Sequence, residues 1–223
     1  MKLAEALCVK SGVTAMIGSG GKTTLLRELA RELAEDGSTV VLTTTTHILP
    51  FADVATAISG SVDVISRELA RHKVICLGEP SESGKLAAPG LSPDVLAQIA
   101  DYVLVEADGS RQLPLKAHAD WEPVVPSGCS QTILVVGASG LNKPIARVVH
   151  RPEIFCRAVA CSPTDAATPE RVAAVVRTEA LPDRVAINQA DDPDALLAAR
   201  ELAGLFDYPT CYGSFLAHDL STR

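Results

Sequence analysis

The residues Val13-Thr14-Ala15-Met16-Ile17 lead directly into Gly18-Ser19-Gly20-Gly21-Lys22-Thr23-Thr24, and a helical pattern of leucines opens at Thr23. A strand, a glycine-rich turn and a helix in that order constrain the fold more than any other stretch of this chain. Glycines tolerate positive φ and carry no Cβ, so the backbone can curl closely around phosphate oxygens. The helix that follows aims its unpaired N–H groups and the positive end of its dipole at the anion. In such a loop Lys22 reaches the β- and γ-phosphates, and the Thr23 hydroxyl ligates Mg2+. The spacing departs from G-x-x-x-x-G-K-[ST], because Met16 stands where the first glycine belongs. Gly18, four residues before Lys22, makes this a shortened variant. The alternative is a plain strand–helix turn with a solvated lysine; the order of the parts favours the phosphate loop.

The remaining apolar runs carry the same alternation along the chain. Strands are predicted at Val13–Ile17, Val40–Leu42, Val74–Leu77, Tyr102–Val105, Ile133–Val136 and Arg184–Ile187. Helices are predicted at Thr23–Glu35, Ser61–His72, Glu153–Val159, Thr168–Arg177 and Asp194–Leu205, after a short leading one within Met1–Val9. Another opens at Ser92-Pro93-Asp94, with the proline at its first position, and leads into Val95–Ala100. Pro80–Leu91 reads as a surface loop or small hairpin, and Gln112–Pro126 as an ordered irregular segment. Hydrophobic residues make up 47% of the chain but aromatics only 4%, so the core is built from Val, Leu, Ile and Ala, which suits parallel strands buried on both faces. The expected fold is α/β, a mainly parallel β-sheet with helices on both faces, in a P-loop NTPase-like three-layer sandwich. Residues 1–223 are expected to form a single nucleotide-binding domain.

Ligands of such sheets sit at the carboxyl ends of the strands. That rule gathers Gly18–Thr24, Thr43–His47, Glu106–Arg111 and Asn188–Asp191 on one edge. Glu106 and Asp108 emerge from the buried run Tyr102–Val105 in a Walker-B arrangement, which holds Mg2+ or orients an attacking group. Glu106 is the preferred metal-side acid, paired with Thr23; Asp108 is a second magnesium partner or a base. Arg111 is placed to neutralise charge developing in phosphoryl transfer, or else forms a rim salt bridge. The expected catalytic set is thus Lys22, Glu106, Asp108 and Arg111. The nucleotide contacts are Gly18, Ser19, Gly20, Gly21, Lys22, Thr23 and Thr24, with Asn188 and Asp191 toward the base. Asn188-Gln189-Ala190-Asp191 is similar to the guanine-reading N-K-x-D motif with Gln189 in place of lysine, and it equally suits a helix start. Thr45, His47 and Lys116 are the candidate contacts to a second substrate. The cofactors expected are Mg2+ with ATP or GTP.

A net charge of −7 without a basic block argues against nucleic acid as a partner. No apolar run approaches the ~20 residues that span a bilayer, and Met1–Val9 lacks a signal-like pattern. The six cysteines show neither C-x-x-C nor zinc-finger spacing, which predicts reduced thiols in a cytoplasmic protein.

Taken together, Gly18–Thr24, Thr43–His47, Glu106-Ala107-Asp108-Gly109-Ser110-Arg111, Pro114-Leu115-Lys116 and Glu122-Pro123 resemble the YqeC-like family. Its members are described as selenium-dependent molybdenum-hydroxylase accessory proteins or selenium-cofactor biosynthesis proteins. The resemblance runs from the first strand through Asn188–Asp191. It implies a nucleotide-binding protein acting in maturation of those hydroxylases, with a selenium- or molybdenum-cofactor substrate or the hydroxylase itself as a further partner. It supplies a pathway and no reaction.

Overall fold

Seven-residue runs such as Val13–Gly18 with its leading Gly12 are buried almost throughout, so each strand must find cover on both faces. The computed structural model describes residues 1–58 and 60–223. After a short helix α1 (Leu3–Ala6), the chain forms β1 (Gly12–Gly18), α2 (Lys22–Glu35), β2 (Val40–Thr44), β3 (His47–Ile48) and β4 (Ala55–Ile58). Next come α3 (Val62–His72), β5 (Val74–Pro80), β6 (Leu86–Ala87), α4 (Pro93–Leu96), β7 (Tyr102–Glu106) and β8 (Leu115–Lys116). The last part holds β9 (Gln131–Gly137), α5 (Ile145–Val148), β10 (Val149–His150), α6 (Pro152–Val159) and α7 (Pro169–Glu179). It closes with β11 (Arg184–Asn188), α8 (Pro193–Gly204), β12 (Thr210–Ser214) and β13 (Asp219–Thr222).

One sheet runs in the order β13-β12-β11-β9-β1-β7-β2-β5-β6-β3, with β4 also on β5. The strands from β12 to β5 pair in parallel, as does β4. Antiparallel pairing is confined to β13 at one edge and to β6 and β3 at the other. Side chains alternate between two buried faces. Met16, Leu42, Leu104, Val135 and Ala186 lie on the face covered by α1 and α2. Ala15, Ile17, Val136 and Ile187 point the other way, toward α5 to α8, and Val41, Val103 and Val105 meet α3 and α4. The α/β three-layer expectation is met, because helices cover both faces of a mostly parallel sheet.

The α2 helix is fixed by Leu25, Leu26, Leu29 and Leu33 on the sheet, each contributing roughly 1.5–3 kcal/mol by burial. Its outward Glu32 is itself buried and accepts the first N–H groups of α1, from Leu3 at 3.0 Å and Ala4 at 2.9 Å. That contact caps α1, whose own N-cap residue Lys2 offers no side-chain bond.

The structure departs from the sequence expectation at the edges. The β12–β13 pair and β4 went unread: they are short and, for β13, largely exposed, so they lack an apolar run. Pro80–Leu91, expected as a surface loop or small hairpin, is the hairpin, with Glu79 opposite Ala87 and Pro80 opposite Leu86. The helix expected to open at Ser92-Pro93-Asp94 does start at Pro93, with Ser92 as its N-cap residue, but it gives way to turns after Leu96 instead of running to Ala100. Gln112–Pro126 is irregular apart from β8, which pairs with β10.

Candidate active site

The loop after β1 can only be made from glycine. Gly18, Gly20 and Gly21 have φ of 88°, 91° and 127°, a region that L side chains rarely adopt. A Cβ on Gly20 would collide with the backbone of Gly137, and one on Gly21 with the amide of Asn188. The Ser19 hydroxyl donates to the Leu113 carbonyl, tying the loop to the segment after β7. Gly21 is the N-cap of α2 and supplies no side-chain cap, so the first turn's N–H groups are left for another acceptor.

Lys22 folds back over this loop and is 3% exposed. Its ammonium donates to the Gly18 carbonyl at 2.6 Å and pairs with Asp108 at 2.8 Å, with Glu106 at 3.9 Å. Register explains the meeting: β7 lies directly beside β1, with Glu106 opposite Met16 on one side and Thr44 on the other. Thr44 Oγ1 donates to the Glu106 carbonyl at 2.8 Å, which fixes the strand end.

Asp108 is wholly buried and works as a hub. It accepts from the Gly18 N–H at 2.8 Å and from Lys116 at 3.0 Å, and lies 2.8 Å from His118 Nε2. Desolvation alone would push its carboxyl up. The His118 hydrogen bond and the Lys22 and Lys116 charges together outweigh it and hold the group well below the usual carboxylate range. His118 in turn contacts Glu179 of α7 through Nδ1, at 2.6 Å. Burial pulls the imidazole down, but the bonds to Asp108 and Glu179 prevail and raise it above its ordinary 6.5. Lys116 also pairs with Glu122 at 2.8 Å, and Arg151 reaches Glu122 at 3.1 Å while lying over the Trp121 ring.

Glu106 is the contrasting acid. Burial pushes it up to about 7, aided by the charge of Asp108 and opposed by Lys22, Lys85 and the Thr23 hydroxyl. Its Oε2 is buried without a hydrogen-bond partner. An orphaned carboxylate oxygen beside Thr23 at a helix N-terminus fits a hard divalent cation, since Mg2+ takes one or two protein oxygens and completes its shell with phosphate and water. Among the described residues no cluster of three or more His, Cys, Asp or Glu could hold a metal by itself.

A cavity of about 310 Å3 opens at these strand ends, lined by Gly20, Gly21, Lys22, Thr23, Thr24, Glu106 and Arg111, with His47, Lys85 and Gln189. A larger groove of about 480 Å3 follows the back of α2 past Arg31 and His72 and touches none of the loop residues. Thus Lys22, Thr23, Thr24, Glu106, Arg111 and His47 share one cavity. Thr45 and Lys116 do not line it. The Thr45 hydroxyl is given to the Val124 carbonyl at 2.7 Å, and the Lys116 side chain is buried between Asp108 and Glu122. Asn188 is buried behind the loop, donating to the Gly20 carbonyl at 3.1 Å and accepting from Phe215 N–H. Asp191 accepts from the Ser214 hydroxyl at 2.5 Å, and its neighbour Asp192 caps α8 through the Ala195 N–H. Lys85 and Glu179 escaped the sequence reading. Lys85 sits in a polar hairpin turn, and Glu179 ends a helix 71 residues beyond Asp108, with no local pattern to single it out.

Three comparisons bear on this arrangement. A family model described as "YqeC protein" matches residues 14–153. The uncharacterized protein YqeC of Escherichia coli (strain K12) is 28% identical over 158 residues, which cover 68% of this chain. The matched part spans 62% of that relative's length. Among solved structures, the signal recognition particle 54 kDa protein from Aeropyrum pernix K1, in complex with GDP, aligns with a TM-score of 0.43 at 16% identity, covering 96% of this chain and 44% of the other. FtsY from Mycoplasma mycoides gives 0.45 at 12% identity, covering 95% and 64%.

Proposed function

The chain belongs to the YqeC family, and from its cleft we propose a magnesium-dependent enzyme that hydrolyses a nucleoside triphosphate or transfers its phosphoryl group. One observation carries this reading: Glu106, whose Oε2 is buried without a partner, lies beside Thr23 and within 3.9 Å of Lys22, the residues that open α2. Thr23 and Glu106 would hold Mg2+, which neutralises charge between the β- and γ-phosphates. The N–H groups from Gly20 to Thr24 cradle the phosphates. Lys22 swings from the Gly18 carbonyl onto the β/γ oxygens, and Arg111 meets the charge that develops on transfer. Asp108 touches no reacting atom in this scheme; it is a positioning residue for Lys22 and the loop. Asn188 sets the loop from behind, and Asp191 stands toward the base. His47 and Lys85 face the acceptor, while Thr45 and Lys116 shape the wall behind it. The continuous sheet supports treating residues 1–223 as one nucleotide-binding domain.

Phosphate release from Mg–ATP and Mg–GTP tests the reading. Wild type should turn over one of them, and Lys22→Ala should lose about a hundredfold or more. Unchanged turnover in that variant would remove the proposal.

A second reading is favoured by the way Lys22 is already engaged by Asp108 and Gly18. A lysine held so firmly suits a nucleotide-gated accessory or delivery protein whose intrinsic turnover is low. Calorimetry would then show tight nucleotide binding with turnover only after a partner is added. Family resemblance supports a role in maturation of selenium-dependent molybdenum hydroxylases. Hydroxylase activity in a deletion strain, restored by wild type but not by Lys22→Ala, tests that role. No helix among the described residues is long and apolar enough to cross a membrane, and we place the protein in the cytoplasm.

A further inference from the structure

The phosphate cavity has a neighbour that the scheme above leaves unused. A second cavity of about 270 Å3 lies across the N-terminus of α2, and Thr23 and Thr24 line both. Its other walls include Arg27, Phe51, Asp53 and Leu216. The two lobes differ in chemistry. The first is ringed by Lys22, Lys85, Arg111 and Glu106, whereas the second offers the edge of the largely buried Phe51 and the exposed Leu216 as apolar surface, beside the Glu28 carboxylate and one ion pair. In that pair Arg27 Nη2 lies 2.6 Å from Asp53, with both side chains half exposed.

Direction follows from the loop. With the γ end of a triphosphate at Lys22 and Glu106, as the proposed function has it, the α-phosphate and its ester oxygen would leave past Thr24. Thr24 is where the second cavity begins. Leu216 is 70% exposed, yet the turn that carries it is pinned. The Ser214 hydroxyl donates to Asp191, and the Phe215 N–H donates to Asn188 at 3.1 Å. A large apolar side chain held in water on a fixed turn, at the exit of a phosphate site, is suited to cover a flat heterocycle.

We infer that the nucleoside of the triphosphate lodges in this second lobe, its base between Phe51 and Leu216 and its ribose hydroxyls toward Asp53. The inference rests on the phosphate-loop reading and extends it to the part of the ligand that the loop cannot hold. It also gives the Asn188–Asp191 segment a task beyond the loop, since its bonds to Ser214 and Phe215 set the position of Leu216.

Calorimetric titration of Mg–ATP, Mg–GTP and Mg2+ with inorganic tripolyphosphate tests it on wild type, Leu216→Ser, Phe51→Leu and Lys22→Ala. Wild type should bind its better nucleotide about tenfold or more tightly than tripolyphosphate. Leu216→Ser, an exposed neutral change that spares the core, should weaken nucleotide binding about tenfold and leave tripolyphosphate unchanged. Phe51→Leu should act in the same direction. The inference is overturned if nucleotide affinity is unchanged in both variants, or if nucleotide and tripolyphosphate weaken together. If wild type does not bind tripolyphosphate, or Lys22→Ala binds it as wild type does, the phosphate-loop reading itself fails and this inference goes with it.

Discussion

Replacing Glu106 by glutamine should stabilise the ligand-free protein at alkaline pH. In the folded chain Glu106 titrates at about 7 against an ordinary 4.5, chiefly because burial penalises its charge. Between those values the unfolded chain has released a proton that the folded chain still holds. The sign follows from linkage: with fewer protons bound in the unfolded state, stability falls as pH rises. The group's contribution is intact below 4.5 and is lost as pH climbs through about 7. At ~1.4 kcal/mol per pH unit the loss approaches about 3 kcal/mol. A neutral amide of nearly the same shape escapes it, and Lys22 keeps Asp108 as its counter-ion at 2.8 Å. Urea unfolding in a chelator should therefore give wild type and Glu106→Gln similar stability near about pH 5. Near about pH 8.5 the variant should be ahead by about 2–3 kcal/mol. A variant less stable than wild type at the higher pH, or a difference that does not change with pH, would refute the reasoning. The strain makes functional sense, because a cation on Glu106 would relieve the cost that the bare carboxylate imposes.

Two further outcomes follow from the charge hub. Asp108→Asn leaves Lys22, Lys116 and His118 buried with their shared carboxylate gone. It should cost about 3–5 kcal/mol in denaturant unfolding, and wild-type stability in that variant would contradict the hub. His118 is raised above 6.5 when folded, so its contribution is full below 6.5 and is lost as pH rises through the higher folded value. In a Glu106→Gln background, which removes the other group that loses stability on this side, His118→Gln should flatten the remaining alkaline decline in a Tm-against-pH series, and an unaltered profile would show that another group causes it.

How much of this was legible in the sequence depends on the range of the interaction. Strand, loop and helix around Lys22 are local, and the glycines announce the curled backbone without tertiary help. Glu106 and Asp108 were visible because two acids at the end of an apolar strand are rarely idle. Their division of labour was not visible. Asp108 differs from Glu106 through the Gly18 N–H, a closer Lys22, partners at positions 116 and 118 and the Glu179 contact to His118, which strand pairing and helix docking create. Lys116 read as a substrate contact because a lysine past a strand end is normally exposed, yet two carboxylates hold it inside. Asn188 read as a base contact, while its amide is committed to Gly20 and Phe215. The edge strands β12 and β13 lacked an apolar run altogether, and with them went any sign of where Leu216 would stand.

The central claim is that the amides from Gly20 to Thr24 grip a polyphosphate. Hydrogen exchange with and without saturating Mg–nucleotide reads those amides directly. Protection should appear across Gly20–Thr24 and be absent in Lys22→Ala. Saturating nucleotide that protects other segments and leaves this loop exchanging as before would contradict the account.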